Sequence, residues 1–299
     1  MKTAFLISIL VVLSTSPAIA GEKYLRDDGT EIRYYLDNAA ADNLLVIFQG
    51  SDCNSVRHMT SVTTIWQTLA PNSALLTIEK YGIDDSLPYA SGERDDCPTK
   101  YLQHDTMTQR INDGVQLIDA FKNSYDKVIV AGGSEGGSIA LAAAERVSGL
   151  HSVLALNSGS SSFQHDIEFS IKQTVPEGQR NQALQGFRQF ADQIKQSKEP
   201  FQVNVSGHGY AFWKDALERD LLKPLKTIDA PVFIIQSLED TSVDPEQTRQ
   251  EINKIISDGA KHITLKMLPG LDHGFQDSNG QSQLKNVVEG VSNIINTKW

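Results

Sequence analysis

The chain has 299 residues and a formal net charge of −10 at pH 7. That length is enough for one large α/β domain or two small ones with a sizeable apolar core. The acidic balance argues against nucleic acid and anionic membrane surfaces as partners, since both would repel it.

Residues 1–20 read as a leader. Lys2 precedes an apolar stretch from Ala4 to Leu13, and Ala18-Ile19-Ala20 supplies an A-x-A cleavage site, the pattern of a secretory signal peptide. The apolar run falls short of the about 20 residues that span a bilayer. Cleavage after Ala20 removes Lys2 and takes the formal charge from −10 to −11. The expectation is a single domain over residues 21–299, periplasmic or secreted, with no stable membrane insertion once the leader is gone.

Strands and helices then alternate. Gly29-Thr30 opens a predicted strand at Glu31–Leu36, and Leu44–Phe48 is a continuous apolar run, as in a strand buried on both faces. A helix is predicted over Val62–Leu69, a strand at Ala74–Ile78, and a Gly/Pro/Asp/Ser-rich loop from Tyr81 to Thr99. Ile111, Val115, Ile118 and Phe121 mark a helix over Asp105–Phe121. Val128–Ala131 is the next strand, Ser138–Val147 a helix, and Val153–Leu156 another strand. From about 163 to 222 the chain turns rich in Gln, Lys, Arg and Phe at helical spacing, with Phe187, Phe190, Ala191 and Ile194 as one apolar stripe. That segment reads as a helical insertion. Strands resume at Pro231–Ile235 and Ile263–Met267, with helices at Pro245–Ile256 and Val287–Ile295.

Such alternation predicts a mostly parallel sheet covered by helices on both faces. Functional groups in these sheets gather at the carboxyl ends of the strands. Ser134, Asp240 and His273 each follow a predicted strand. Around Ser134 the motif is Gly132-x-Ser134-x-Gly136 between an apolar strand and an alanine-rich helix. A serine on such a strained turn has its hydroxyl exposed above the sheet edge, and the flanking glycines let strand and helix backbones nearly touch. The helix behind it begins with free N–H groups, so the amide of Glu135 is placed to stabilise an oxyanion.

A serine hydroxyl is a poor nucleophile unless a base takes its proton, and the base needs a third group to fix its tautomer. His273 follows the last predicted strand in a turn-forming segment and is the preferred base. Of the other histidines, His208 is the rival, since the end of the helical insertion could face the site. For the third group, Asp244 precedes Pro245 and reads as a helix N-cap, its oxygens committed to helix amides. Asp240 has no such local role and is preferred over Asp244 and Glu239.

The order Ser134, Asp240, His273 is that of an α/β-hydrolase. The sequence resembles that superfamily from about Glu31 to its end, through Gly132–Gly137, Ser237–Val243 and Asp272-His273-Gly274-Phe275. The last two segments are similar to those of its esterase, dienelactone-hydrolase-like and prolyl-peptidase-like branches. Ser237 stands where a glycine is usual, which bears on the shape of that loop. The resemblance implies an α/β-hydrolase fold with a mostly parallel twisted sheet and a small helical cap over about 163–222. It also implies that the loop Phe48–Cys53 completes the oxyanion hole, with the amide of Ser51 or Asp52 as second donor. Gln49 replaces a common histidine there, and the Asp52 carboxylate would repel an oxyanion unless it turned away.

The resemblance places the loops carrying Cys53 and Cys97 on one edge of the sheet. In an exported protein a disulfide between them is expected, against two buried free thiols. The acidic run Asp84-Asp85 and Glu93–Asp96 reads as a solvated loop rather than a selector of cationic substrates. Phe201, Tyr210, Phe212 and Trp213 are core aromatics or the lining of an acyl pocket. The implied activity is hydrolysis of a carboxylic ester through an acyl-enzyme, on a small-molecule or peptide acyl substrate. A peptidase on the same three residues is the alternative, and a catalytically silent binding protein the rival from another class. No metal or organic cofactor is expected, as there is no His-rich ligand cluster and no dinucleotide fingerprint.

Overall fold

The structure is a computed structural model that describes residues 21–298 apart from Glu93; the expected leader lies outside the described residues. Its strands are β1 (Glu22–Leu25), β2 (Glu31–Asp37), β3 (Asn43–Phe48), β4 (Ala74–Ile78), β5 (Lys127–Gly133), β6 (Ser152–Leu156), β7 (Val232–Ser237) and β8 (Ile263–Leu268). They form one sheet in the order β1-β2-β4-β3-β5-β6-β7-β8. The two pairings that involve β2 are antiparallel and the rest are parallel. The apolar runs explain the centre: β6 and β7 are buried at every position, as strands covered on both faces must be.

The helices are α1 (Thr60–Thr64), α2 (Thr99–His104), α3 (Met107–Phe121), α4 (Glu135–Ala144), α5 (Phe163–Thr174), α6 (Glu177–Gln196), α7 (Tyr210–Glu218), α8 (Pro245–Ser257) and α9 (Leu284–Lys298). Successive strand residues point to opposite faces, so the sheet has two cores. Leu44, Val46 and Val130 face Ile111 of α3, Ile139 of α4 and Ile252 of α8. Leu45, Ile47 and Ile129 face Val62, Trp66 and Val291 of α9.

Helices α5, α6 and α7 lie between β6 and β7 and make the small cap. Its stripe packs on itself: the Phe190 and Trp213 rings are 5.2 Å apart edge to face, and Phe163 and Trp213 are 5.8 Å apart. Phe212 and Trp213 are buried in this packing. Phe201 and Tyr210 instead line a cavity of about 870 Å³ beside α2 and α7 that includes none of Ser134, Asp240 and His273.

Two local expectations differ from the structure, and one strand has no counterpart among them. The helix predicted over 62–69 is a short α1 followed by a 3₁₀ turn at Trp66–Leu69. Val62-Thr63-Thr64-Ile65 is β-branched throughout, and Thr64 Oγ1 donates back to Thr60 O at 2.6 Å, both of which weaken a helix. The helix predicted from Ser138 starts at Glu135, because the glycines at 136 and 137 serve close packing rather than a turn. Strand β1 carries no apolar pattern: it is exposed throughout and held by its pairing with β2.

Candidate active site

The turn after β5 is shaped by what cannot fit there. A Cβ on Gly132 would lie 2.2 Å from Gly136 O, and a Cβ on Gly136 would lie 2.2 Å from Phe48 O. Only bare glycines let the ends of β3 and β5 touch the start of α4. Ser134 between them has φ +54° and ψ −132°, a strained conformation for a residue with a side chain. Its amide donates to Leu156 O at 2.8 Å, which pins the turn to β6.

Ser134 Oγ is 3.1 Å from Nε2 of His273, and His273 Nδ1 is 2.8 Å from Oδ2 of Asp240. The other Asp240 oxygen accepts from the amides of Ser242 (2.8 Å) and Val243 (2.9 Å), which fixes the plane of a fully buried carboxylate. Asp244 caps α8 through the amides of Glu246 and Gln247 and contacts His165 at 2.9 Å. Glu239 is exposed. His208 is not beside Ser134: it stacks on Phe212 with ring centroids 3.6 Å apart and meets the Tyr101 hydroxyl at 3.1 Å.

The loop after β3 runs alongside. A Cβ on Gly50 would be 3.7 Å from the Ser134 Cβ. Asp52 Oδ1 accepts from Gln49 Nε2 (2.6 Å) and from the Asn54 amide (2.7 Å), so that carboxylate is turned into its own loop. Ser51 shares with Ser134, Glu135 and His273 a cavity of about 520 Å³, which Phe163 and Ile167 of α5 roof over. Asp52 borders an adjoining cavity of about 490 Å³ beside the two cysteines. Besides His273, the first cavity's wall carries the carboxyl groups of Glu135 and Asp166 among the described residues. Asp166 is held by the amides of Ser160 and Asp244, and burial lifts its carboxyl to about 6.

Residues 98–290 match the model of the prolyl oligopeptidase family. The chain belongs to the prolyl oligopeptidase family. It is a serine hydrolase of the α/β-hydrolase superfamily. Among solved structures it is similar to Est1E from Butyrivibrio proteoclasticus, at 16% identity over 92% of this chain and 97% of that one, with a TM-score of 0.57. It is also similar to an acetyl xylan esterase from Paenibacillus sp. R4, at 16% identity over 95% and 86% of the two chains, with a TM-score of 0.58. A third is a lipase-esterase related protein from Clostridium acetobutylicum, at 18% identity over 89% and 98%, with a TM-score of 0.52. At such identities these likenesses show the fold. No curated protein matches the chain.

Several residues around this candidate site carry no sequence motif. Asn157, with φ +44°, ends β6 and ties three segments together. Its side chain donates to His273 O (2.9 Å) and Ser237 Oγ (3.1 Å) and accepts from the Ser237 amide (2.7 Å). Ser237, in a usual glycine position, thus takes part in holding the His273 loop. An asparagine directly after an apolar strand was the available signal.

A buried ionic cluster lies behind the loop after β3. Glu135 accepts from Arg110 and, at 2.7 Å, from Ser51 Oγ; Lys80 Nζ is 3.9 Å away and His208 Nε2 3.7 Å. Burial would push the Glu135 carboxyl up, but Lys80 and Arg110, with His208 and Ser51, hold it at about 2. Burial pushes Lys80 down from its ordinary value and takes His208 down to about 4. Burial raises Asp105 to about 7 against Arg110 and Lys80, and neither of its oxygens has a hydrogen-bond partner among the described residues.

Cys53 and Cys97 form a disulfide with Cα atoms 5.8 Å apart, directly after the Gly50–Asp52 loop. Of the acidic run, Asp84 lies 3.4 Å from Arg33 and Asp96 pairs with Arg94 at 2.8 Å. No cluster of three or more metal-ligating side chains occurs among the described residues.

Proposed function

We propose that this protein is an exported esterase that cleaves a carboxylic ester through an acyl-enzyme on Ser134. His273 Nε2 takes the Ser134 proton as Oγ attacks the carbonyl carbon, and returns it to the leaving alcohol. Asp240 holds Nδ1–H and stabilises the imidazolium that forms. The amides of Glu135 and Ser51 donate to the oxyanion. Water, deprotonated by the same imidazole, then releases the carboxylic acid and restores the serine. The observation that carries this reading is the unbroken relay of 3.1 Å and 2.8 Å contacts from Ser134 Oγ through His273 to a fully buried Asp240.

Ester rather than peptide cleavage is favoured by the walls of the cavity. Neither carboxylate on this wall is free to pair with a peptide's terminal ammonium, since Glu135 is bonded to Arg110 and Ser51 and Asp166 to two amides. Solved structures with the same fold include an acetyl xylan esterase and Est1E bound to ferulic acid. Export is supported by the leader pattern of residues 1–20 and by the disulfide.

The test is labelling with a fluorophosphonate probe, followed by p-nitrophenyl esters beside aminoacyl p-nitroanilides. Wild type should be labelled and Ser134→Ala not, and esters should turn over faster than anilides. Folded wild type that takes no label would defeat the enzyme reading, and faster anilide cleavage would shift it to a peptidase.

A further inference from the structure

Lys80 is a lysine whose side chain is 1% exposed, at the end of β4 and outside the walls of the Ser134 cavity. Burying an ammonium group is costly unless its protons are bonded, so its partners are informative. They are main-chain carbonyls of one loop: Nζ donates to Gly50 O at 2.7 Å and to Asp52 O at 2.6 Å. Arg110 grips the residue before, donating to Gln49 O, while its other nitrogen holds Glu135. Two buried cations thus hold three carbonyls of the loop Gln49–Asp52 from one side.

A trans peptide points its C=O and N–H in opposite directions. The Gly50 carbonyl and the Ser51 amide belong to one peptide unit. Drawing the Gly50 oxygen onto Lys80 therefore turns the Ser51 N–H away from Lys80. Ser51 lines the Ser134 cavity, whose walls do not include Lys80, and a Cβ on Gly50 would lie 3.7 Å from the Ser134 Cβ. The Ser51 amide donates to no acceptor among the described residues. A free N–H beside a nucleophile, with its peptide plane locked by a buried cation, is pre-organised to receive developing negative charge.

We propose that Lys80 is the positioning residue of the oxyanion hole: by clamping the carbonyls of Gly50 and Asp52 it aims the Ser51 amide at the substrate oxygen. The inference rests on the esterase reading of Ser134. Its chemistry is the same for any acyl substrate. Lys80 does not touch substrate and acts only through the peptide plane it holds. The competing role is neutralisation of Glu135, 3.9 Å away. The two roles separate when both charges are removed together.

The experiment compares wild type, Lys80→Met, Glu135→Gln and Lys80→Met/Glu135→Gln as full chains, with p-nitrophenyl acetate as substrate and phenylboronic acid as an inhibitor that forms a tetrahedral adduct on serine. A misaimed donor costs transition-state binding alone, so Lys80→Met should lower kcat about 100-fold with KM within about twofold. The boronate inhibition constant should rise by a factor comparable to the fall in kcat/KM. The double variant keeps the buried charge balanced and should be far slower than Glu135→Gln alone, which keeps Lys80 on both carbonyls; that difference also decides the matter if Lys80→Met does not fold. A folded Lys80→Met enzyme at the wild-type rate overturns the proposal. So does a double variant as fast as Glu135→Gln alone, which would reduce Lys80 to a counter-charge for Glu135. Wild type that neither takes a fluorophosphonate nor hydrolyses the ester is a different failure, that of the esterase reading itself.

Discussion

Replacing Asp240 by Asn changes one oxygen to an NH₂ group, and the surroundings dictate which one. Oδ1 accepts from the amides of Ser242 and Val243 at 2.8 and 2.9 Å, so the remaining carbonyl oxygen of Asn must stay there. The NH₂ group then replaces Oδ2, which lies 2.8 Å from His273 Nδ1. A donor at that position forces Nδ1 to accept, and the ring proton moves to Nε2. Nε2–H facing Ser134 Oγ at 3.1 Å cannot take the serine proton. Oδ2 also accepts from Gln236 Nε2 at 3.1 Å, so that amide turns its unbonded Oε1 to the new NH₂; the geometry then survives and the base is lost. The expected loss in kcat is about 10⁴-fold, the scale of the same tautomer change in serine proteases. That corresponds to about 5 kcal/mol of transition-state stabilisation. KM should scarcely move, because Asp240 is fully buried and away from the cavity wall. The assay is p-nitrophenyl acetate turnover together with the rate of fluorophosphonate labelling, and circular dichroism checks the fold. Asp244→Asn is the control: Asn caps a helix as well as Asp, so α8 keeps its start and kcat its value. A folded Asp240→Asn enzyme within about tenfold of wild type would refute the reasoning.

Gly136→Ala would set a methyl group 2.2 Å from Phe48 O and 2.7 Å from Gln49 O, both backbone atoms. It should destabilise by more than about 1–3 kcal/mol and slow labelling, read as a lower Tm and a lower rate; an unchanged Tm would contradict the packing argument. Cys53→Ser/Cys97→Ser opens a cross-link between residues 44 apart, which loop entropy values at about 4 kcal/mol. Urea denaturation measures it, and a midpoint equal to wild type would show that the cross-link contributes nothing. Asp105 binds its proton more tightly folded, at about 7, than in an ordinary carboxyl. Between about pH 4 and pH 7 the folded state therefore holds more protons than the unfolded one, and this group's contribution to stability falls as pH rises. Asp105→Asn should raise stability at pH 8 by on the order of a few kcal/mol and leave pH 4 nearly unchanged. Equal gains at both pH values would remove burial of Asp105 as the cause.

Much of the frame was legible because it depends on neighbours in sequence. The apolar runs at Leu44–Phe48 and Val153–Leu156 can be satisfied only by a strand covered on both faces, and both are such strands. Asp244 before Pro245 is a helix cap in the structure for the local reason the dipeptide implies. The helix expected over 62–69 is broken by local chemistry, the run of β-branched residues. Strand β1 could not be found, since it has no apolar pattern of its own and is defined by its partner. Lys80, Arg110 and Asp105 are not legible in the sequence because a charged residue normally reads as solvent-exposed, and all three are buried. Their burial follows only when β4, α3 and α4 converge behind one loop.

The place of the strained serine turn and the order of its partners are readable along the chain, because glycine spacing, capping and strand patterns are short-range physics. Tertiary structure decided what those residues face. It turned the Asp52 carboxylate into its own loop, buried His208 on Phe212, and gathered Lys80, Arg110 and Glu135 behind Ser51. No spacing rule reaches across such separations. A buried charge is placed by the partners that desolvation obliges it to find, and those partners are known only once the chain has closed around them.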